Sequence, residues 1–482
     1  MIFTQSNYFC LTDQELIKHL YGALEQRDAL INKYDAIIKK YEPLIQTIIP
    51  ELQKRITELE AQLAVYQNKK DSTNSHKPPS SDMNTPQRNR SLRKKSNKKP
   101  GGQKGHEGNT LLFSDRIDKA IEHTPDQCGS CGKDLSETKG SLIERRQEVD
   151  IPVIVAQRIE HQRYEKKCSC GHVSCGQFPG HITSPIQYGS RIEALIVYLH
   201  GRQYLPYART KEFFQDVMGL SISSGGINYL LRRFSKKALS EYEKIRSAIQ
   251  MQEMVGTDET GVKVNGEKHW IWTWQSESYT FIAHSSNRGY QTILDNFPSG
   301  LPDSYLGHDR WAAHFQCPSK GHQICMSHLL RELNFLEELY QSKWAVKFKI
   351  LIQRALNKKR AMNINDYGIK NTARNNIMDK LKRLLRQFIS KKEIKSRTLQ
   401  KKLKNKIECI FLFLFHSYIP PDNNGSERAI RNIKVKQKVS GFFKSVQGAK
   451  DYVVIRSIID TATKAGLPVF ASLVKIANLG TE

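Results

Sequence analysis

Met254-Val255-Gly256-Thr257-Asp258-Glu259-Thr260 is the stretch on which the fold turns. An apolar, β-branched start runs into acids, the pattern of a strand that ends on a carboxylate. Just downstream, residues 269–275 and 279–284 are aromatic and β-branched runs joined by a short polar turn, which predicts an antiparallel pair. Residues 289–297 have the spacing of a short amphipathic helix. Tyr305-Leu306-Gly307-His308-Asp309 is a second apolar strand closing on an acid, residues 322–326 a further strand and 327–340 a helix. After a long basic helical stretch, Asp422-Asn423-Asn424-Gly425-Ser426-Glu427-Arg428 opens another helix, with Glu427 near its first turn.

Three strands, helix, strand, helix, strand and a later helix is the layout of an RNase H-like fold, in which Asp258 and Asp309 sit at neighbouring strand ends and a returning helix adds Glu427. Such a cluster suits phosphoryl transfer on DNA. Hard Mg²⁺ prefers carboxylate oxygen, and two ions roughly 3.5–4 Å apart activate the attacking oxygen and stabilise the leaving one. Against this, any one of the 48 acids taken alone is more simply a solvated residue or a helix cap.

Outside this region the charge is uneven. The chain has 482 residues, 75 Lys+Arg against 48 Asp+Glu, and a formal charge of +27. Residues 68–106 carry +9, 343–406 carry +18 and 428–450 carry +7, so the remainder is net acidic. Localised positive charge points to a polyanion, with nucleic acid the first candidate. The longest apolar run, residues 410–415, is far below the ~20 residues of a membrane helix, which excludes a helical membrane protein. Met1–Cys10 show no basic region leading into an apolar stretch, so no secretory signal is expected and the chain is read as cytoplasmic. Nine cysteines, an odd number, argue for metal ligands or buried thiols over a disulfide framework.

The expected organisation is multidomain α+β. Residues 12–67 form an N-terminal helix or coiled coil divided near Pro43 and Pro50, with a seam of Leu52, Ile56, Leu59, Leu63 and Tyr66 that suits dimerisation or packing on the chain itself. Residues 68–110, rich in Ser, Asn, Pro, Lys and Gly, are a basic disordered linker. Residues 111–185 form a small β module in which Cys128, Cys131, Cys168 and Cys170 supply four soft ligands to one structural Zn²⁺, with His172 and Cys175 as alternatives to Cys170. Strand-like alternation at 148–162 brings the two pairs together. Residues 186–250 are a helical segment in which 210–218, Gly219 and 223–234 are compatible with a helix-turn-helix ending in Arg232, Arg233, Lys236 and Lys237, or with an ordinary helical hairpin. Residues 251–450 make the catalytic α/β domain, with a basic helical insertion at about 344–406, and 451–482 a C-terminal helical tail.

The blocks above carry a family resemblance. Thr257-Asp258-Glu259-Thr260, His308-Asp309-Arg310-Trp311, Cys325-Met326-Ser327-His328-Leu329-Leu330-Arg331-Glu332-Leu333 and Asp422-Asn423-Asn424-Gly425-Ser426-Glu427-Arg428-Ala429-Ile430-Arg431 resemble, in order, the acidic motifs of insertion sequence 66 family transposases. The linker motifs Asn74-Ser75-His76-Lys77-Pro78-Pro79-Ser80-Ser81 and Pro100-Gly101-Gly102-Gln103-Lys104-Gly105-His106, and the cysteine pairs, are similar to that family's as well. The resemblance implies DDE transposition, with Asp258, Asp309 and Glu427 binding Mg²⁺ for cleavage and strand transfer at terminal inverted repeats. The Cys325-x-x-His328 pair also resembles a motif found between the second Asp and the Glu in several DDE transposases, which makes His328 an active-site neighbour or, alternatively, a packed helix residue. Arg428, Arg431, Lys434, Lys436 and Lys438 are the candidate phosphate contacts. The implied partners are double-stranded end and target DNA, a second copy in a homodimer or higher oligomer, and accessory proteins of the element in a bacterial host. Two departures stand out: Asn432 where the family usually has Pro, and the Lys436–Phe443 stretch. A non-catalytic, zinc-containing DNA-binding regulator derived from a transposase is the alternative.

Overall fold

The structure, a computed structural model, describes residues 17–18, 21–30, 51–53, 55–56, 58–60, 63, 105, 111–367 and 371–480. The linker at 68–110, except residue 105, and the break at Pro43 and Pro50 lie outside the described residues. Within 12–67, residues 17–18, 21–30 and 51–53 are helical, and Arg27 bonds Glu60 at 2.9 Å.

Residues 111–185 contain one short antiparallel pair, β1 (Glu165–Lys167) and β2 (Val173–Cys175), whose connection carries Cys168 and Cys170. The strand expected at 148–162 does not form. Ile151, Val153, Val155 and Ile159 are all exposed, so alternation there meets no face to bury against.

A helical layer follows: α1 (Ser190–Val197), a π-helical turn (Tyr198–Arg202), α2 (Tyr207–Met218), α3 (Ser224–Lys237) and α4 (Leu239–Gln250). The glycine turn is where the sequence predicts it. Gly219 closes α2 in the left-handed region (φ 60°), which a Cβ disfavours, and Ser223 caps α3 by accepting from the Gly226 amide. Half of the basic cluster ending α3 is internal. Arg233 makes a two-pronged ion pair with the fully buried Glu193 (2.7 and 3.1 Å), and Lys237 joins it at 3.2 Å, leaving Arg232 and Lys236 exposed.

The sheet comprises β3 (Met254–Val264), β4 (Glu267–Gln275), β5 (Thr280–Ser285), β6 (Leu301–His308) and β7 (Ser319–Ile324), with α5 (Gln291–Asn296) before β6 and α6 (Ala312–Gln316) before β7. Its order is β5-β4-β3-β6-β7. The first three strands are antiparallel, and β3, β6 and β7 run parallel. Here β3 differs from expectation, because it runs past Asp258 to Val264. What stops near Asp258 is its pairing with β6, which ends at Gly256 opposite Gly307, while β4 continues to pair along the other edge.

Alternation then sorts the side chains. Val262, Val264, Ile271 and Ile282 pack on α11 (Asn424–Ser440) and α12 (Val446–Lys464), whereas Trp272, Trp274 and Phe281 join a core shared with α1–α4. The helices at 190–250 therefore share one core with the sheet and do not form a separate body. Between β7 and α11 lie α7 (Met326–Tyr340), α8 (Lys343–Ala361), α9 (Thr372–Arg386) and α10 (Ile394–Lys404), gathered around a second core with Trp344, Phe348, Leu381, Phe411 and Phe413. The tail expected from residue 451 is not peripheral. It lies inside α12, buried on nearly every side from Asp451 to Asp460 and followed by α13 (Val469–Ala477).

Candidate active site

Asp258 lies where β3 leaves β6. Its side chain is on the α11 face of the sheet, across from Thr273, and its carboxylate accepts the Glu259 amide at 2.9 Å. Asp309 is the first residue after β6, and its carboxylate accepts the Trp311 amide at 2.9 Å. Between them in sequence, Arg310 adopts φ 83°, a costly conformation for a residue with a Cβ. Two tethers hold it: an ion pair with Glu332, and its amide donating to His308 Nδ1 at 3.1 Å. With Nδ1 accepting, the His308 proton sits on Nε2 and points at His322 Nδ1, 3.1 Å away. Burial and neighbouring cationic side chains hold His308 well below the usual histidine range, so it stays neutral.

The third acid comes from a helix start clamped onto β3. Asn423 donates its side-chain amide to the Thr257 carbonyl (2.8 Å), accepts from Ser426 (2.7 Å), and gives its backbone N–H to the Cys325 sulfur (3.2 Å). The Met326 amide bonds the Pro421 carbonyl and the Cys325 amide the His308 carbonyl, both at 2.9 Å. This tie fits only because position 256 lacks a side chain. A Cβ there would lie 2.6 Å from Asn423 Oδ1, 2.6 Å from Gln275 Nε2 and 2.7 Å from Ser426 Oγ. One turn on, Glu427 lies 3.7 Å from His328 Nε2 and 3.9 Å from Arg331. Its Oε1 is buried without a hydrogen-bond partner.

The other acids of the site act electrostatically on Asp258. Asp258 is held well above the ordinary carboxylate range, first by burial, then by the negative charges of Asp309 and Glu259, with Glu427 adding to them. Glu427 is also raised, chiefly by burial, while Arg331 and Arg431 pull it down. Asp258, Asp309 and Glu427 are each partly exposed, and their carboxylate oxygens do not all come within 4.8 Å of one another, so a shared Mg²⁺, which prefers carboxylate oxygen, would need side-chain motion to draw them together. Cys325 and His328, three residues apart at the start of α7, face the same spot. Among the described residues the one group of three side chains able to ligate a common ion is Cys325, His328 and Glu427, with ligand atoms within 4.8 Å of one another. Burial pushes the Cys325 thiol up to about 11.

On the opposite sheet face, Glu259 forms a support that sequence reasoning missed. Its buried carboxylate takes Arg288 at 2.9 Å and His314 at 3.0 Å, while Arg288 stacks over Trp270 and Trp311. The strict two-residue period of β3 was the available signal: adjacent acids must face opposite sides. Arg331 and Asn423 were also missed as site residues, although both lie inside the quoted motifs.

The basic residues of α11 divide. Arg428, Arg431 and Lys438 are exposed. Lys434 is engaged by the Gly261 carbonyl (2.8 Å) and Gln437 (3.2 Å). Lys436 is not a surface residue. It is buried beneath Phe443 and Tyr452, and burial lowers it to about 8. The unusual Asn432 is explained by its partners, since it accepts from Tyr204 (2.8 Å) and donates to Asp460 (3.4 Å), joining α11 to α12. Asp460 in turn pairs with the fully buried Arg456 at 2.6 Å.

The two cysteine pairs each form a tight turn. In the first, the amides of Cys131 and Ser130 lower the Cys128 thiol; in the second, Cys170 does the same for Cys168. The pairs are not drawn into one four-thiol cluster, because the segment expected to join them makes no strand.

Among the described residues no helix is long and apolar enough to cross a membrane. Residues 23–111 match a family of unknown function (DUF6444), and no curated protein matches the chain. The transposase IS66 family matches residues 185–451, a span that takes in the helical layer, the sheet, all three acids and their clamps. With more than half of its length matched, the chain belongs to the transposase IS66 family.

Proposed function

We propose that the chain is a DDE transposase with an RNase H-like catalytic core, which cuts DNA at the terminal inverted repeats of its element and joins the freed 3′ hydroxyl to a target phosphate. The sheet order β5-β4-β3-β6-β7 supports this reading. The observation that carries it is the placement of the acids: Asp258 follows the last β3–β6 pairing, Asp309 follows the end of β6, and the helix start bearing Glu427 is tied to β3 by the Asn423–Thr257 bond. Mg²⁺ held by Asp258, Asp309 and Glu427 would supply positive charge against the carboxylates and the phosphate in transfer.

The protein's own groups do the rest. Arg331 and Arg431 favour the ionised form of Glu427. The clamp from Asn423 to Thr257 and Cys325 fixes the distance between α11 and β3. Arg428, Arg431 and Lys438, exposed on the helix that carries Glu427, are placed to hold phosphates. Bringing the Cys128–Cys131 turn onto the Cys168–Cys170 turn would give one Zn²⁺ four thiolate ligands, the helical N-terminal segment suits pairing of two copies, and the site of action is the bacterial chromosome.

The test is strand transfer of pre-cut DNA ends in Mg²⁺ by the full chain. Joined product is expected from the wild type and only background from Asp258→Ala. Equal yields from the two would overturn the assignment and favour a DNA-binding regulator.

A further inference from the structure

Cys325 and His328 have no part in an all-carboxylate Mg²⁺ site, yet they point at the same acid. We propose that Cys325, His328 and Glu427 form a separate site for a borderline-soft divalent cation of the Zn²⁺ class, and that filling it draws Glu427 away from Asp258 and Asp309. The second half of this proposal rests on the function proposed above; the first half does not.

The argument is geometric and chemical. The three ligand atoms lie within 4.8 Å of one another, and His328 Nε2 is already 3.7 Å from Glu427 Oε1. Zinc bonds of about 2.0–2.3 Å place tetrahedral ligands roughly 3.3–3.8 Å apart, so closure needs about 1 Å of side-chain motion and no backbone rearrangement. Cys325 and His328 are three residues apart at the first turn of α7, and Glu427 is in the first turn of α11, so all three sit on helical ends joined by the Asn423–Cys325 and Met326–Pro421 bonds. The Asn423 amide already donates to the sulfur, as a bound thiolate requires. Glu427 Oε1 is buried without a hydrogen-bond partner and needs one. A mixed sulfur, nitrogen and oxygen set selects Zn²⁺ over Mg²⁺, which takes oxygen ligands in octahedral geometry. Three protein ligands leave a fourth position open to water, unlike the four ligands of a closed structural site.

Glu427 links the two sites. An oxygen committed to the soft ion on the His328 side is lost to the carboxylate cluster, so the soft ion acts as a brake that Mg²⁺ alone does not release.

The experiment uses Co²⁺ as the probe on the full chain with Cys128, Cys131, Cys168 and Cys170 replaced by Ser, so that the other thiol pairs do not contribute. One equivalent of Co²⁺ with a sulfur-to-cobalt charge-transfer band is expected. The band is expected to disappear in Cys325→Ser, to weaken at least about tenfold in affinity in His328→Ala, and to persist in Asp309→Ala. Circular dichroism on each variant confirms folding, and His328→Ala decides if Cys325→Ser fails to fold. A band that survives in folded Cys325→Ser, or none in the starting protein, overturns the site.

Competition is read by Mn²⁺ paramagnetic resonance. One equivalent of Zn²⁺ is expected to lower Mn²⁺ occupancy in this chain and not in Cys325→Ser; unchanged occupancy with the cobalt site intact overturns the sharing of Glu427. Absence of Mn²⁺ binding in both chains, with the cobalt band present, would overturn the carboxylate-cluster reading and leave the soft-metal site standing.

Discussion

Gly256→Ala tests the contact that sets the distance between strand and helix. The added methyl would meet three polar atoms at 2.6, 2.6 and 2.7 Å, so each must retreat by roughly 0.7–0.8 Å to reach the 3.4 Å at which contact becomes ordinary. Two of the three atoms belong to the clamp, and the third is tethered at the other end of its amide. Asn423 is held by Thr257 and Ser426, and Gln275 by Lys464 at 2.8 Å. Overpacking of this kind costs about 1–3 kcal/mol, and loss of one clamp hydrogen bond adds about 1 kcal/mol. Urea unfolding should therefore register about 2–4 kcal/mol of destabilisation.

The effect on Mg²⁺-dependent strand transfer should be larger than stability explains. The atoms displaced belong to the first turn of α11, which carries Glu427, and a misplacement near 1 Å can cost on the order of 100-fold in rate. Gly261→Ala is the internal control: on the same strand, its Cβ would meet Trp270 and Lys268 at 3.7–3.8 Å, ordinary contact. If Gly256→Ala joined DNA as fast as Gly261→Ala at a temperature where both are folded, the tight fit would have no bearing on the site.

Asp258→Asn should stabilise the metal-free protein at neutral pH. The folded-state pKa of Asp258 is raised, so the folded chain holds its proton longer than the unfolded chain, and stability falls as pH climbs from the unfolded value of 3.8 towards the folded one. Urea midpoints in chelator should favour the variant increasingly as pH rises through that window; a variant weaker than wild type at neutral pH would contradict the burial argument. Arg428→Ala, Arg431→Ala and Lys438→Ala should each lower the salt slope of DNA binding by about 0.9, as loss of one phosphate contact does. Lys436→Met should leave that slope alone. It should instead abolish a gain of stability between pH 8 and 10.5, where the unfolded lysine is still charged and the buried one is not. Asp460→Ala strands the buried Arg456 guanidinium and should cost about 3–5 kcal/mol in urea unfolding; a loss below 1 kcal/mol would mean water reaches the pair.

Strands and acids were legible because their signals are local. Trp270-Ile271-Trp272-Thr273-Trp274 is aromatic and β-branched enough to announce β4, and Asp309 follows an apolar run that ends in a turn. The order of elements survived for the same reason. What depended on distant packing did not. Lys436 looks like any basic residue on an exposed helix, and only Phe443 and Tyr452 turn it inward. Helix α12 has no polar stripe to mark it as surface or core, because it touches the sheet, α3, α4 and the π-helical turn together, and so it read as a tail. The stretch at 148–162 shows the converse, a strand-like alternation that finds no neighbouring surface. The clamp at Asn423 joins residues 166 positions apart, which no local pattern reveals.

The central position of α12 has a consequence for biosynthesis. Ile455, Ile458 and Ile459 complete a core whose other walls come from the helices at 190–250, made more than two hundred residues earlier. Those early helices emerge from the ribosome with their apolar faces open, and even after the sheet is made the side that meets α12 stays open until residues 446–464 follow. A message interrupted before Val446 thus leaves this core with a wall missing, although the second core at 324–419 is complete, and the open helical face exposes the fragment to proteases.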